Sequence, residues 1–297
     1  MLWHMRLRFK GWVYGSAHPR RVDERTLCSN EADSQIHHVR REQRDPLSIE
    51  KHTAENSLIA GLPPRCRADV LRSCEQVELQ LEEVLCEPGQ RIRHVYFPIE
   101  GFVSLVAVLD DGGALEVGII GGEGMVGASV ILGVDTLADR AVVQRAGAAL
   151  RMRSVSFRGL CARNMALRMR VGLYLYASMA QLAQVAACTG YHVVEARLAR
   201  WLLMSRDRAH KDEFHLTHEF LAYMLGVRRV GITEAATALQ ARGLITYNRG
   251  DITILDNAGL EKASCDCYER GNLIYEATMG FSFARSARRR AAQASGT

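Results

Sequence analysis

Two adjacent guanidinium groups, Arg228 and Arg229, stand at the start of a segment whose apolar residues follow helical spacing. A guanidinium is a rigid fork of donors that matches the O6 and N7 acceptors of guanine. Arginines presented from the exposed start of a helix are therefore suited to reading base edges in the major groove of DNA. Thr233 lies one turn further along the same face and joins them as a candidate for base contact. Glu234 could accept from a cytosine amino group or equally repel phosphate, and both roles stay open. Thr217 and His218 before the pair, and Asn248 and Arg249 after it, carry the groups that bind phosphate oxygens and would fix the DNA backbone.

Such residues need two crossed helices to hold them. Thr217 can cap the first helix, and Ala222 is small where the second must cross it closely. Gly226 follows four residues later, where the chain needs a left-handed turn. Ile232 supplies the core between the helices with Leu221, Leu225, Ala235 and Leu239. These offsets predict a helix-turn-helix over residues 218–240. Two helices joined through glycine are common in themselves. The arginine pair shifts the reading to DNA, as do residues 243–254, which read as two short strands about a turn with Arg249 at the tip. Gly231 within the second helix costs about 1 kcal/mol against alanine, and its size would let the helix approach DNA closely.

Upstream, residues 58–64 read as a short helix stopped by Pro63-Pro64, followed by a second helix from about Arg65 to Cys74. Apolar runs at residues 102–109 and 115–120 around Asp110-Asp111-Gly112-Gly113 predict a hairpin, and recurring glycine and proline turn signals predict an antiparallel sandwich or roll. Residues 164–191 hold no proline. Within them Val171, Leu175, Ser178, Leu182 and Val185 alternate steps of four and three, a coiled-coil seam. A neighbouring face of Gly172, Ala180, Ala183 and Ala187 would admit a partner helix, and a helix packed on its own domain would show the same spacing. A helix over residues 195–206 carries Leu198, Trp201, Leu202 and Leu203 on one side, and a last helix capped by Asn257 would run to about Tyr275. The fold class is thus α+β: an antiparallel β-roll, a long dimerisation helix and a C-terminal winged helix-turn-helix. The expected divisions are a disordered extension at 1–53, the roll at 54–163, the dimerisation helix at 164–192, the DNA-binding domain at 193–276 and a basic tail at 277–297.

Bulk properties agree. The chain has 297 residues, 48% hydrophobic and 24% charged, enough for two folded domains, and its net charge of +5 weakly favours a polyanionic partner. The most apolar stretch, residues 115–134, is interrupted by Glu116, Glu123 and several glycines, so no membrane span is expected. The basic N-terminus lacks an apolar signal region, which implies the cytoplasm. The eight cysteines form no CxxC pair and no zinc-type quartet by spacing, and Cys265-Asp266-Cys267 alone does not close a metal site. They are expected to be structural or incidental. His37 and His38 could bind metal but read better as solvated polar residues.

Over residues 55–262 the chain resembles the Crp/Fnr family of bacterial transcription regulators. Tyr96-Phe97-Pro98, Gly101, Val103-Ser104, Asp111-Gly112, Glu116-Val117-Gly118, Glu123-Gly124 and Gly127 look like the β-roll of one subgroup, and residues 216–229 look like its DNA-binding signature. The resemblance implies a homodimer on double-stranded DNA with a two-fold symmetric operator and half-sites about one helical turn apart. It leaves RNA polymerase open as a further partner. It also implies an effector site in the roll, with Gly127 and Arg140 as the matching residues. There the match departs: Ala128 stands where the ribose-binding glutamate belongs, and Ala141 replaces the hydroxyl neighbour of the phosphate arginine. Cyclic AMP is therefore not implied, and Arg140 could instead pair with Asp139 or Asp135. No cofactor is implied either. An iron–sulfur cluster needs clustered N-terminal thiolates whereas Cys28 stands alone, and no residue declares itself a haem ligand. Val230 replaces a glutamate found in many relatives, so operator specificity is not carried over.

Two other classes compete. A metal-dependent cupin-like enzyme needs two or three converging histidines, and the β-region offers only His94. A cyclic-nucleotide-binding-like module acting through protein partners would not need Arg228, Arg229 or the wing. The chain is accordingly not expected to be an enzyme.

Overall fold

The computed structural model describes residues 55–110, 112–280 and 282–283. The expected extension at 1–53 with Cys28, His37 and His38, the residues of the basic tail from Arg285 to Arg290, and Asp111 lie outside the described residues.

Two short helices open the described chain, α1 (Ser57–Ala60) and α2 (Pro64–Arg72). Pro64 takes the first position of α2, where its missing N–H costs no hydrogen bond. The strands of the roll are β1 (Glu75–Leu79), β2 (Val84–Cys86), β3 (His94–Pro98), β4 (Phe102–Val108), β5 (Ala114–Ile120), β6 (Arg140–Arg145) and β7 (Gly147–Arg153). They form two antiparallel sheets, ordered β1-β7-β3 and β2-β6-β4-β5. The expected hairpin is β4–β5, closing at Val108 opposite Ala114. The sheets enclose Val95, Phe97, Val103, Ala141, Val143 and Met152, all buried.

α3 (Ser154–Arg163) leads to Asn164, whose side chain accepts the Leu167 N–H at 3.3 Å and starts α4 (Met165–Tyr191). At 27 residues α4 is about 40 Å long. Gly124 lets the roll press against it, because a Cβ there would lie 2.6 Å from the Tyr174 ring. The expected seam is corrected: Val171 and Val185 are buried in the chain's own core, which removes them from any partner-facing stripe. The exposed apolar residues of α4 include Met169, Leu173, Tyr176 and Met179, beside the exposed Gly172 and Ala183, and of the expected seam Leu182 stays exposed. By length and composition alone α4 could cross a membrane, but Leu167, Tyr174, Ala177 and Cys188 are packed against the rest of the chain.

The C-terminal part comprises α5 (Val194–Ala209), β8 (Glu213–His215), α6 (His218–Leu225), α7 (Arg229–Ala241), β9 (Ile245–Asn248), β10 (Asp251–Ile254), α8 (Asn257–Ala263) and α9 (Cys267–Met279). Its core gathers Leu198, Trp201, Leu202, Leu221, Ile232 and Leu239, and Phe102 and Ile119 of the roll join it. The single last helix expected from Asn257 to Tyr275 is in fact two. The chain turns extended at Ser264, with φ −71° and ψ 162°, before α9 begins. Asp256 rather than Asn257 caps α8, its carboxylate accepting the Gly259 N–H at 2.9 Å. α9 then runs back to α4, burying Tyr275 and Met279 in the roll's core.

Two buried carboxylates tie the halves together. Glu123, just beyond β5, lies 2.7 Å from Arg208 of α5, with side chains 2% and 1% exposed. Glu116 on β5 accepts from the Trp201 indole N–H at 2.8 Å and from the Ser104 hydroxyl. Burial pushes the Glu116 carboxyl from 4.5 up to about 7, while the two hydrogen bonds pull the other way. The folded chain therefore favours the protonated group, and that contribution to stability is complete below pH 4.5 and lost as pH rises to about 7. Glu116→Gln keeps a neutral acceptor for Trp201 and should remove this slope, which is about 3 kcal/mol at most. Urea unfolding across that pH range measures it, and an equally steep slope in the variant would assign the dependence to another group.

Candidate nucleic-acid interface

The helix-turn-helix forms at the expected residues. Thr217 Oγ1 accepts the Phe220 N–H at 3.1 Å and starts α6. Gly226 ends it with φ 61°, a left-handed value that costs a residue with a Cβ. A Cβ at Gly226 would also sit 3.2 Å from Leu115 Cδ1 and 3.4 Å from the Ala114 carbonyl, so the turn lies directly on β5. Beyond it Arg228 is the N-cap of α7 and Arg229 its first residue. Both are exposed, as are Val230 and Thr233. Among the described residues neither arginine enters an ion pair with a carboxylate.

The wing follows. β9 and β10 pair from Ile245 opposite Ile254 to Asn248 opposite Asp251. Arg249 and Gly250 make the two-residue turn with φ 50° and 97°, the doubly positive pattern of a type I′ hairpin. Asn248 and Arg249 are exposed at its tip. β8 adds a third strand through Phe214 opposite Ile252, an element too short at three residues to register as a sequence pattern.

The other expected contact residues are partly engaged with one another. His218 stacks on Tyr247, ring centroids 4.3 Å apart at 18°, and its Nδ1 shares a hydrogen bond with Thr233 Oγ1 at 2.9 Å. Burial, with Arg229 adding like-charge repulsion, holds His218 below its ordinary 6.5 and so favours the neutral ring. Thr233 Oγ1 also lies 3.2 Å from the Arg229 carbonyl oxygen. These contacts knot α6, α7 and the wing into one surface, on which Arg228, Arg229 and Arg249 are exposed and, among the described residues, enter no ion pair with a carboxylate.

In the roll a cavity of about 330 Å³ is lined by Gln90, Arg91, Arg93, His94, Tyr96 and Val126, among others. Gly127 adjoins it with φ 85°. Arg140 is not among the lining residues. It pairs with Glu87 at 2.8 Å, and Asp135 pairs with Arg91 instead, so neither expected partner of Arg140 holds.

Two family models match this chain: the cyclic nucleotide-binding domain over residues 76–164 and the Crp-like helix-turn-helix domain over residues 196–263. Together they take in more than half of the sequence. The chain belongs to the Crp/Fnr family. Its fold matches a solved Crp/Fnr transcriptional regulator from Eubacterium rectale, with TM-score 0.58 and 17% identity over 70% of this chain and 99% of that one. It also matches FixK2 from Bradyrhizobium japonicum, with TM-score 0.56 and 13% identity over 65% and 98% of the two chains. A third match is CLP of Xanthomonas campestris, a c-di-GMP-responsive global regulator, with TM-score 0.55 and 17% identity over 65% and 100%. No curated protein matches.

Two points of this Crp/Fnr chain depart from expectation. Cys188, His192, Cys265 and Cys267 converge in space although their spacing suggested no quartet. The signal that could have found them is a Cys and a His four residues apart on one helix face, read together with the Cys-x-Cys pair. Gly231 does not face outward: a Cβ there would meet Val194 of α5 at 3.7 Å, an ordinary contact. Gly231→Ala should therefore raise stability by about 0.5–1 kcal/mol through helix propensity and leave DNA affinity unchanged. Thermal unfolding and a binding titration check both halves, and a large loss of affinity would return Gly231 to the DNA face.

Proposed function

We propose that this regulator acts as a homodimer that reads a two-fold symmetric operator, each α7 entering a major groove and each wing resting on phosphate. The observation that carries this reading is the pair of free guanidinium groups, Arg228 and Arg229, at the exposed start of α7 beside a wing tipped by Arg249. Arg228 and Arg229 take base edges, and Thr233 takes a third when its hydroxyl turns from His218. Thr217, His218, Asn248 and Arg249 set the backbone register. Such a protein works in the cytoplasm, where DNA and RNA polymerase are.

The dimer seam is the apolar stripe of α4, in which Met169, Tyr176 and Met179 are 59%, 62% and 69% exposed. Leaving such groups in water along a helix of this length is unfavourable, and a second α4 is the partner of matching shape. The effector is a small anionic molecule in the roll cavity, beside Arg91 and Arg93. Ala128 and the Arg140–Glu87 pair speak against a cyclic nucleotide held in the usual way.

Arg229→Ala should lose about 1–3 kcal/mol on a selected operator and little on random DNA, whereas Arg249→Ala should weaken both alike. Fluorescence anisotropy with both DNAs at matched salt measures this, and equal losses for Arg229→Ala would sink the base-reading role. Tyr176→Glu should give monomers in sedimentation equilibrium, and an intact dimer would move the seam elsewhere.

A further inference from the structure

Three cysteines and a histidine distant in sequence meet where the end of α4 passes the joint between α8 and α9. Cys188 lies in the last turn of α4, His192 ends that helix, and Cys265 and Cys267 flank Asp266 in the joint. One ligand atom from each lies within 4.8 Å of every other. Cys188 Sγ is 3.5 Å from Cys265 Sγ, and Cys267 Sγ is 3.4 Å from His192 Nδ1.

These separations have a specific chemical meaning. A tetrahedral zinc ion with bonds of about 2.3 Å to sulfur and about 2.0 Å to nitrogen sets neighbouring ligand atoms roughly 3.5–3.8 Å apart. A disulfide needs sulfurs at about 2.05 Å, and the sulfide-bridged clusters of iron spread their thiolates wider than one ion does. We propose that Cys188, His192, Cys265 and Cys267 form a closed site for one zinc-class divalent ion, three thiolates and one imidazole.

The surroundings fit that charge and geometry. His192 Nε2 lies 3.7 Å from Asp266 Oδ1, which puts a carboxylate on the outer side of the ring and leaves Nδ1 toward the thiols. Gln184 Nε2 donates to Cys267 Sγ at 2.9 Å. Three thiolates and a dication leave one net negative charge, and two buried arginines of α5, Arg197 and Arg200, lie close enough to Cys188 to offset it. Each has a buried Nε without a hydrogen-bond partner. The three thiols are buried, with Cys188, Cys267 and Cys265 at 0%, 2% and 8% exposure, while the His192 side chain at 33% closes the site on its solvent side.

An ion here staples the end of α4 to the start of α9, on either side of the α4–α5 joint, and so fixes where the DNA-binding half leaves the long helix. The site itself does not depend on the DNA reading, and its test uses no DNA. The full chain, freed of any affinity tag and purified in reductant, should hold one zinc per chain by elemental mass spectrometry. Cys267→Ser and Cys188→Ser should lose it, while Cys74→Ser keeps it. Cobalt(II) added to chelator-stripped wild-type protein should give thiolate charge-transfer and tetrahedral d–d bands, so the result stands even if a serine variant fails to fold. Reduced wild-type protein without zinc and without those bands would overturn the site. So would zinc retained by both serine variants, or a mapped Cys188–Cys265 disulfide in the reduced preparation.

Discussion

A charge taken out of water is costly unless a close partner and further hydrogen bonds offset the lost hydration. Glu123 and Arg208 meet at 2.7 Å with almost no exposure, and several of their remaining valences are used locally, while the buried Arg208 Nη2 has no hydrogen-bond partner among the described residues. Glu123 accepts the Gly121 N–H at 3.2 Å, Arg208 donates to the Met204 carbonyl at 3.0 Å, and its guanidinium lies 4.8 Å over the Phe283 ring. One partner follows β5 and the other belongs to α5. Separating them would leave two dry, unpaired charges, so α5 has a narrow choice of position. α7 and α8 pack on α5, and α6 packs on α7, so the reading surface takes its place from this pair.

β5 is the strand the two halves share. Ala114 and Leu115 support the turn at Gly226, Glu116 holds Trp201, and Ile119 enters the core of the C-terminal half. Apolar packing alone tolerates sliding, whereas the Glu116–Trp201 hydrogen bond and the Glu123–Arg208 pair are directional. The combination gives a defined docking with a wet outer face, on which Arg228, Arg229 and Arg249 are exposed. On that face His218 bonds Thr233 and stacks on Tyr247, whose hydroxyl donates to the Leu216 carbonyl, which makes the surface stiff.

Much of this was legible in the residues. Gly226 announces the turn because few other residues accept its φ, and Asn164 and Thr217 announce helix starts because their side chains cap them. The β4–β5 hairpin follows from apolar runs about a glycine pair. Such signals are local, carried within about a dozen residues. The seam of α4 was misread because a four-three pattern marks a stripe without saying which neighbour covers it, and α4 has two apolar sides. The last helix was misread because the break at Ser264 serves a distant contact, Cys265 turning in to Cys188.

The sequence by itself determined most of the element types, the two-part architecture and the position of the helix-turn-helix, since those depend on backbone preference and local spacing. Only the tertiary structure decided which polar groups are spent internally, as His218 is on Thr233 and Arg140 on Glu87. It also decided that Gly231 faces Val194 and that four sulfur and nitrogen ligands separated by up to 79 positions share one small space. Those outcomes depend on distances across the fold, which residue spacing along the chain does not encode.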